Sequence, residues 1–239
     1  MFHTIFYQPI FNALIGLYNL VGDIGIAIII LTVLLKLVLW PLTQKSLHSQ
    51  KMLQTLQPKL KALQEKHKDD KQALTAATMQ LYKEEKVNPF SSCLPLLIQL
   101  PFLFALYQVL VDGLNSKSFD SLYGFVQNPG TINVMSLGFL NLAVASIPLA
   151  IIAGGAQFWQ AKMMPRPPIP ANAGSGAKDE STMAMMNKQM LYLAPAMTIF
   201  IGVKLPGGLA LYWIVMSLLT VLQQYLVFKK HKSIKANLF

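Results

Sequence analysis

Apolar residues run for about twenty positions at a time along this chain, and the polar residues gather in the stretches between. A bilayer-spanning helix needs about 20 mostly apolar residues, with a usual range of about 17–25. By that measure residues 25–42, 94–111, 134–157 and 209–228 are predicted spans. Residues 190–204 form a fifth whose length depends on where its helix starts. Proline and glycine within 165–176, and again at Pro206, Gly207 and Gly208, mark separate helices rather than one long one.

The pattern changes between the first two spans. In 43–93, Leu53, Leu56, Leu60 and Leu63 recur at helical spacing, and Leu74, Ala77, Thr78 and Leu81 repeat it. The polar run 66–71 between them predicts a tight turn, with Asp69 or Asp70 capping the second helix. The expected element is a helical hairpin standing off the membrane, its first arm kinked at Pro58. At the other end of the chain, residues 1–24 carry Ile10, Leu14, Leu17 and Val21 on one helical face. Two placements suit them: an outer interfacial helix with Tyr7 and Tyr18 at headgroup depth, or an arm buried against the bundle.

Charge orients the pattern. Apolar residues make up 54% of the chain and charged ones 13%, yet the net charge is +10. Residues 43–93 hold nine lysines, residues 158–189 hold three lysines and Arg166, and the tail 229–239 holds four lysines. The alternate segments 1–24 and 112–133 hold only Lys117. Cytoplasmic loops carry the Lys/Arg excess, so the N-terminus is expected outside and the C-terminus in the cytoplasm. Most of these lysines need no further role than that. The hairpin and the tail could also meet anionic lipid or ribosomal RNA. No basic n-region with a small-residue cleavage site opens the chain, so no cleavable signal is expected.

One cation breaks the rule. Lys36 lies within 25–42, about 16 Å along the helix from Gly25 and so near mid-bilayer. A lysine at the centre of a span costs about 2.5–3.5 kcal/mol even on insertion scales. Either it snorkels to the cytoplasmic interface, or it faces a wet cavity inside the bundle. Thr32 and Trp40 share its helical face. Gln99, Gln108, Asn141, Ser146, Thr198, Tyr212, Ser217 and Thr220 add polar groups at membrane depth, singly no more than helix-to-helix contacts but together a polar groove.

Much chemistry has no seat here. Cys93 is the single cysteine, the four histidines are scattered, and no span holds an interior carboxylate. No metal, cofactor, DNA partner or enzymatic activity is expected. An ion or solute transporter, a lipid scramblase and an assembly chaperone remain as competing classes.

Several stretches, in order, carry a resemblance: 25–43 (GIAIIILTVLLKLVLWPLT), 56–60 (LQPKL), 69–72 (DDKQ), 81–89 (LYKEEKVNP), 93–101 (CLPLLIQLP) and 205–215 (LPGGLALYWIV). The chain resembles the YidC-type membrane protein insertase family, with its Oxa and Albino relatives, in a compact bacterial form without a large periplasmic domain. The resemblance implies five transmembrane helices around a hydrophilic, cation-bearing groove. It also implies a function of inserting and helping to fold nascent membrane proteins in the bacterial plasma membrane, alone or with the Sec translocon, with the ribosome and membrane lipids as further partners. Bacterial members carry an arginine where this chain has Lys36, which keeps the charge but not the planar bidentate fork. Thr32, Tyr212 and Trp213 match positions around the groove and its substrate-contacting face, and Gln99 joins them as a candidate.

Overall fold

The structure, a computed structural model, describes residues 1–68, 70–88, 94–111, 116–164 and 191–236. A π-helical turn, His3–Tyr7, runs into α1 (Gln8–Val21). The Ile10, Phe11, Leu14 and Ile15 face of α1 is buried in the main apolar core, while Ile5 and Leu20 stay exposed. Of the two placements open to this segment, its apolar face takes the arm against the bundle. The helix stops at Gly22, whose φ of 72° is a left-handed conformation open to a residue without Cβ.

The first span was expected to end at residue 42. Instead α2 runs unbroken from Ile24 to Thr55, with Pro41 inside it. Proline has no N–H and so leaves the carbonyl four residues back, that of Leu37, without its helical donor. Helices in an apolar setting accommodate this where neighbouring groups re-satisfy the backbone. The break comes at Leu56, and Pro58 sits in the first turn of α3 (Gln57–Lys66), where its missing N–H is harmless. Pro58 therefore opens an arm rather than kinking one. Asp70 caps α4 (Lys71–Glu84), accepting from Ala73 N at 2.9 Å, while Asp69 lies outside the described residues. Leu56, Tyr82 and Val87 close a small core between the arms, and Lys59 pairs with Glu85 across them.

Beyond the hairpin come α5 (Leu94–Val111), a 3-10 turn (Ser116–Ser121), strands β1 (Met135–Ser136) and β2 (Leu140–Asn141), α6 (Ile147–Met163), α7 (Leu191–Gly202) and α8 (Gly207–Ala236). The stretch 134–157 is thus not one helix. Its first part is a two-residue antiparallel hairpin pairing Met135 with Asn141 and Ser136 with Leu140. The helix starts at Ile147 because the Ser146 side chain caps it and Pro148 stands in its first turn. Asn141 and Ser146 consequently belong to the hairpin and the cap, not to a span interior. α8 continues past residue 228, and residues 165–190 lie outside the described ones. Among the described residues, Ile24–Thr55 and Gly207–Lys229 are long and apolar enough to cross a membrane, and Leu97–Val111 and Leu191–Gly202 are shorter apolar helices.

Side-chain neighbours give the helix directions. Lys36 meets Thr220, Trp40 and Thr43 meet Gln223, and Lys51 meets Phe228, so α2 and α8 run parallel. α6 begins beside α8, where Gly207 N donates to Val144 O at 2.8 Å and Gly208 N to Leu142 O at 3.0 Å. These bonds satisfy two of the free amides at the start of α8. α7 runs antiparallel to α6, with Gly154 against Ile199 and Gly202 against Ala150. α5 reaches the starting end of α2 and α8 with its own C-terminal turn, since Leu110 and Ile28 both lie against Gly208.

The α6–α7 contact is close enough to test. A Cβ on Gly154 would overlap Ile199 Cγ1, come 2.7 Å from its Cδ1, and lie 3.1 Å from the Pro195 carbonyl oxygen. Gly154→Ala is expected to cost about 1–3 kcal/mol through overpacking. Adding Ile199→Ala should recover part of that loss, so thermal melts in detergent should find the double variant milder than the sum of the singles. Strict additivity would place the strain elsewhere.

Candidate functional site

Lys36 is only 4% exposed, and Thr32, one turn earlier on the same face of α2, is buried with it. The Lys36 ammonium donates to Thr220 Oγ1 at 2.9 Å, and among the described residues no carboxylate lies within ion-pair distance of it. Thr32 Oγ1 donates to Ile28 O at 2.6 Å and Thr220 Oγ1 to Met216 O at 2.7 Å, each back into its own helix. The two hydroxyls thus present oxygen lone pairs to the seam between α2 and α8.

The polar seam continues beyond Lys36. Gln223 Nε2 donates to Thr43 Oγ1 at 2.9 Å and to Trp40 O at 3.1 Å. Ser46 and Gln50 are buried on α2, with Gln50 Nε2 3.4 Å from Ser46 Oγ. Gln223 and Gln224 have no exposed surface at all. At the far end Lys51 reaches the Phe228 carbonyl at 3.5 Å and lies 5.1 Å over its ring. Polar side chains therefore line one interhelical contact over about three turns of α8, from Ser217 to Phe228, where apolar packing would be the ordinary choice.

The other predicted residues fall around this seam unevenly. Tyr212 stands two turns before Thr220 on the same face of α8, fully buried, and its hydroxyl has no partner among the described residues. Gln99 on α5 is half-buried with its Nε2 enclosed and unpartnered among the described residues, and no bond joins it to Lys36. Trp213 is half-buried against the apolar core. Thr198 is bonded to Gln157 between α7 and α6, away from the seam. Thr43, Ser46, Gln50, Gln223 and Gln224 were not among the predicted site residues. The 3–4 spacing of Thr220, Gln223 and Gln224 is the signal on α8, and Thr43, Ser46 and Gln50 lie beyond residue 42, where the first span is expected to end.

The opposite end of the bundle is shut by a different set of polar contacts. Asp23 accepts from Gly25 N at 2.8 Å and Ile26 N at 3.0 Å, capping α2, and from Ser136 Oγ and Leu137 N, both at 2.7 Å, holding the hairpin. Burial acts to raise its pKa, but these four donors prevail and hold the carboxyl below its ordinary value. Gly25 makes room for the hairpin, since a Cβ there would lie 2.8 Å from Ser136 Cβ and 3.0 Å from Leu142 Cδ1. Asn12 is buried on α1 and accepts from Tyr123 N at 2.6 Å while donating to Ser121 O at 3.1 Å. Asn19 donates to Gln127 O, and the Tyr18 hydroxyl accepts from Asn133 N. The connection between α5 and α6 is thus stitched down along α1 and across the start of α2.

Around the bundle, large apolar side chains remain exposed on every long helix: Val38, Phe104, Ile151, Trp159, Phe200 and Leu222 are each more than half or about half accessible. Such continuous apolar exposure on a folded chain marks a surface that meets lipid or protein rather than water.

Residues 16–235 match the 60Kd inner membrane protein family. The chain is 39% identical over 210 residues to the membrane protein insertase YidC of Fusobacterium nucleatum subsp. nucleatum, covering 88% of each. It is 35% identical over 226 residues to that of Pelobacter propionicus, covering 95% of this chain and 39% of the relative. The protein of the same name from Francisella tularensis subsp. novicida is 34% identical over 230 residues, of which the match covers 37%. A crystal structure described as an active YidC insertase with the first transmembrane domain resolved superposes with a TM-score of 0.56 at 24% identity, covering 90% of this chain and 45% of that one. The chain therefore spans less than half the length of several relatives, and nearly all of the Fusobacterium one. On the family match and the shared length, this chain belongs to the 60Kd inner membrane protein family, that of the YidC-type membrane protein insertases.

Proposed function

We propose that the chain is a membrane protein insertase of the bacterial inner membrane, and that the α2–α8 seam belongs to a hydrophilic groove that receives the polar part of a nascent membrane protein. The observation that carries this is Lys36: a buried ammonium near mid-span whose contact is a threonine hydroxyl and not a carboxylate. A permanently closed core with such a group would bear a large desolvation cost. A groove that admits water and the acidic residues of a client offsets it.

In this reading α2, α5, α6, α7 and α8 cross the bilayer, alternating in direction as their contacts do, with the basic hairpin and tail in the cytoplasm and the N-terminus outside. The seam opens toward the cytoplasm, and the stitched loop over Asp23 and Asn12 closes the outer end. A polar tail crossing about 30 Å of hydrocarbon loses its hydration, at several kcal/mol for each unsatisfied backbone group. A wet seam reaching mid-bilayer shortens that dry path, and burial of the client's apolar span drives the step without a nucleotide. Thr32, Gln99 and Tyr212 line the polar side, and Trp213 lies toward the exit face. The ribosome, the Sec translocon and anionic lipids are partners that the basic hairpin and tail suit.

The test is reconstitution. Liposomes holding the purified chain should protect the tail of a short single-span polypeptide from external protease, without releasing an entrapped dye or scrambling labelled lipid. Lipid scrambling without tail protection would replace the insertase by a scramblase, and capture of the polypeptide without protection by an assembly chaperone.

A further inference from the structure

Gln224 is the anomaly within the seam. Its side chain has no exposed surface, and neither its Nε2 nor its Oε1 has a hydrogen-bond partner among the described residues. It is one turn beyond Thr220, whose hydroxyl holds Lys36, so it stands on the α8 face that meets α2. Its neighbour Gln223 spends its amide on Thr43 and the Trp40 carbonyl. Polar contacts pin the seam on both sides of Gln224, at Thr220 and at Phe228, and leave this one carboxamide unanswered. Burying an amide with both ends unpaired is unfavourable, and replacement by an apolar side chain of similar size would relieve it. Its retention in a fully buried position calls for a ligand that arrives when the helices part.

The chemistry of a carboxamide selects that ligand. It offers two donors and an acceptor oxygen side by side. A carboxylate could use only the donors and an ammonium only the oxygen. A peptide group presents an acceptor and a donor together and answers both. We propose that Gln224, flanked by Gln223 and Thr43, is a binding site for the uncharged peptide backbone of a translocating segment, distinct in its selectivity from the charge site at Lys36. The proposal rests on the insertase reading above. It gives the seam two recognition elements about 6 Å apart along α8, one for acidic side chains and one for neutral backbone.

Two clients separate them, identical in their apolar span, one with an Asp-bearing tail and one with a Ser/Gly/Gln tail. Insertion of each is followed by protease protection in liposomes holding the wild-type chain, Gln224→Leu, Gln224→Met or Lys36→Gln. The Gln224 variants should lower the ratio of neutral-tail to acidic-tail insertion by about fivefold, the effect of roughly one hydrogen bond, while Lys36→Gln raises it. Their melting temperature in detergent should equal or exceed that of the wild type. An unchanged ratio in both Gln224 variants overturns the proposal and leaves the insertase reading standing. So does a melting temperature several degrees lower in both, which would mean that enclosed water already satisfies the amide. If the wild type inserts neither client, the insertase reading and the proposal fall together.

Discussion

Lys36→Gln is expected to reduce insertion of a client with an acidic outer tail by at least about tenfold, while Lys36→Arg retains most of it. The size follows from the charge. A unit charge pair at about 4 Å is worth about 4 kcal/mol at an effective dielectric of 20, and hydration of an open groove reduces this to a fraction. A remaining 1.4 kcal/mol corresponds to a factor of ten. Glutamine keeps a donor for Thr220 Oγ1, so the variant tests the charge rather than the hydrogen bond. Arginine restores the charge and adds a fork that suits carboxylates. The measurement is protease protection in liposomes, with melting in detergent as a folding control. Removing a buried, incompletely satisfied cation should leave the fold as stable or more so. Equal insertion by all three proteins would make Lys36 an incidental buried lysine and leave the seam's uncharged polar groups to carry the function.

Lys36 itself was legible in the sequence because a charge inside an apolar run stands out against its neighbours. Its partner was less so. Thr220 was one of eight polar residues at membrane depth, and periodicity within one helix does not say which residue on another helix it faces. The lower seam lies past the end of the apolar run, beyond Pro41. The apolar run that predicts a span stops at residue 42, which puts Thr43, Ser46 and Gln50 in the cytoplasmic hairpin, whereas α2 carries them on, with Thr43 meeting Gln223. Proline removes one backbone donor, and a neighbouring helix that supplies side-chain donors to the same turn decides whether the helix survives. That is tertiary information. The stretch 134–146 misled for the opposite reason: mostly apolar, it is compatible with a helix until the cap at Ser146 and the hairpin at Met135–Asn141 are seen.

The two ends of the bundle differ in kind. Toward the seam's lower end the polar groups are side chains on two parallel helices, and among the described residues Gln224 there retains its hydrogen-bonding capacity. At the Asp23 end the polar groups are consumed: Asp23, Asn12, Tyr18 and Asn19 each bond a backbone group of the α5–α6 connection. Unused capacity suits an entrance and full satisfaction suits a seal. The asymmetry accords with a groove that takes a polar chain from one side without leaking to the other.

Asp23→Ala should open that seal. The substitution removes the cap of α2, worth about 1 kcal/mol, together with two bonds from the hairpin to a charged acceptor, each worth about 1.5–3 kcal/mol when protected and less at this partly exposed site. A net local loss of about 2 kcal/mol corresponds to roughly thirtyfold faster amide exchange at Leu137 and Ser136, with little change in the core around Phe11 and Ile28. Asp23→Asn keeps an acceptor without the charge and should fall between. The sign of the pH dependence follows from the lowered folded pKa. The carboxylate's contribution is complete above the unfolded value near 3.8 and is lost as pH falls through the folded value, so the gap between wild type and Asp23→Ala should close in acid. Insertion of the acidic client should persist in Asp23→Ala, but the liposomes should lose an entrapped small ion faster. If hairpin exchange and ion retention both match the wild type, apolar packing of Leu140 and Leu142 holds the outer end, and Asp23 serves only to start α2.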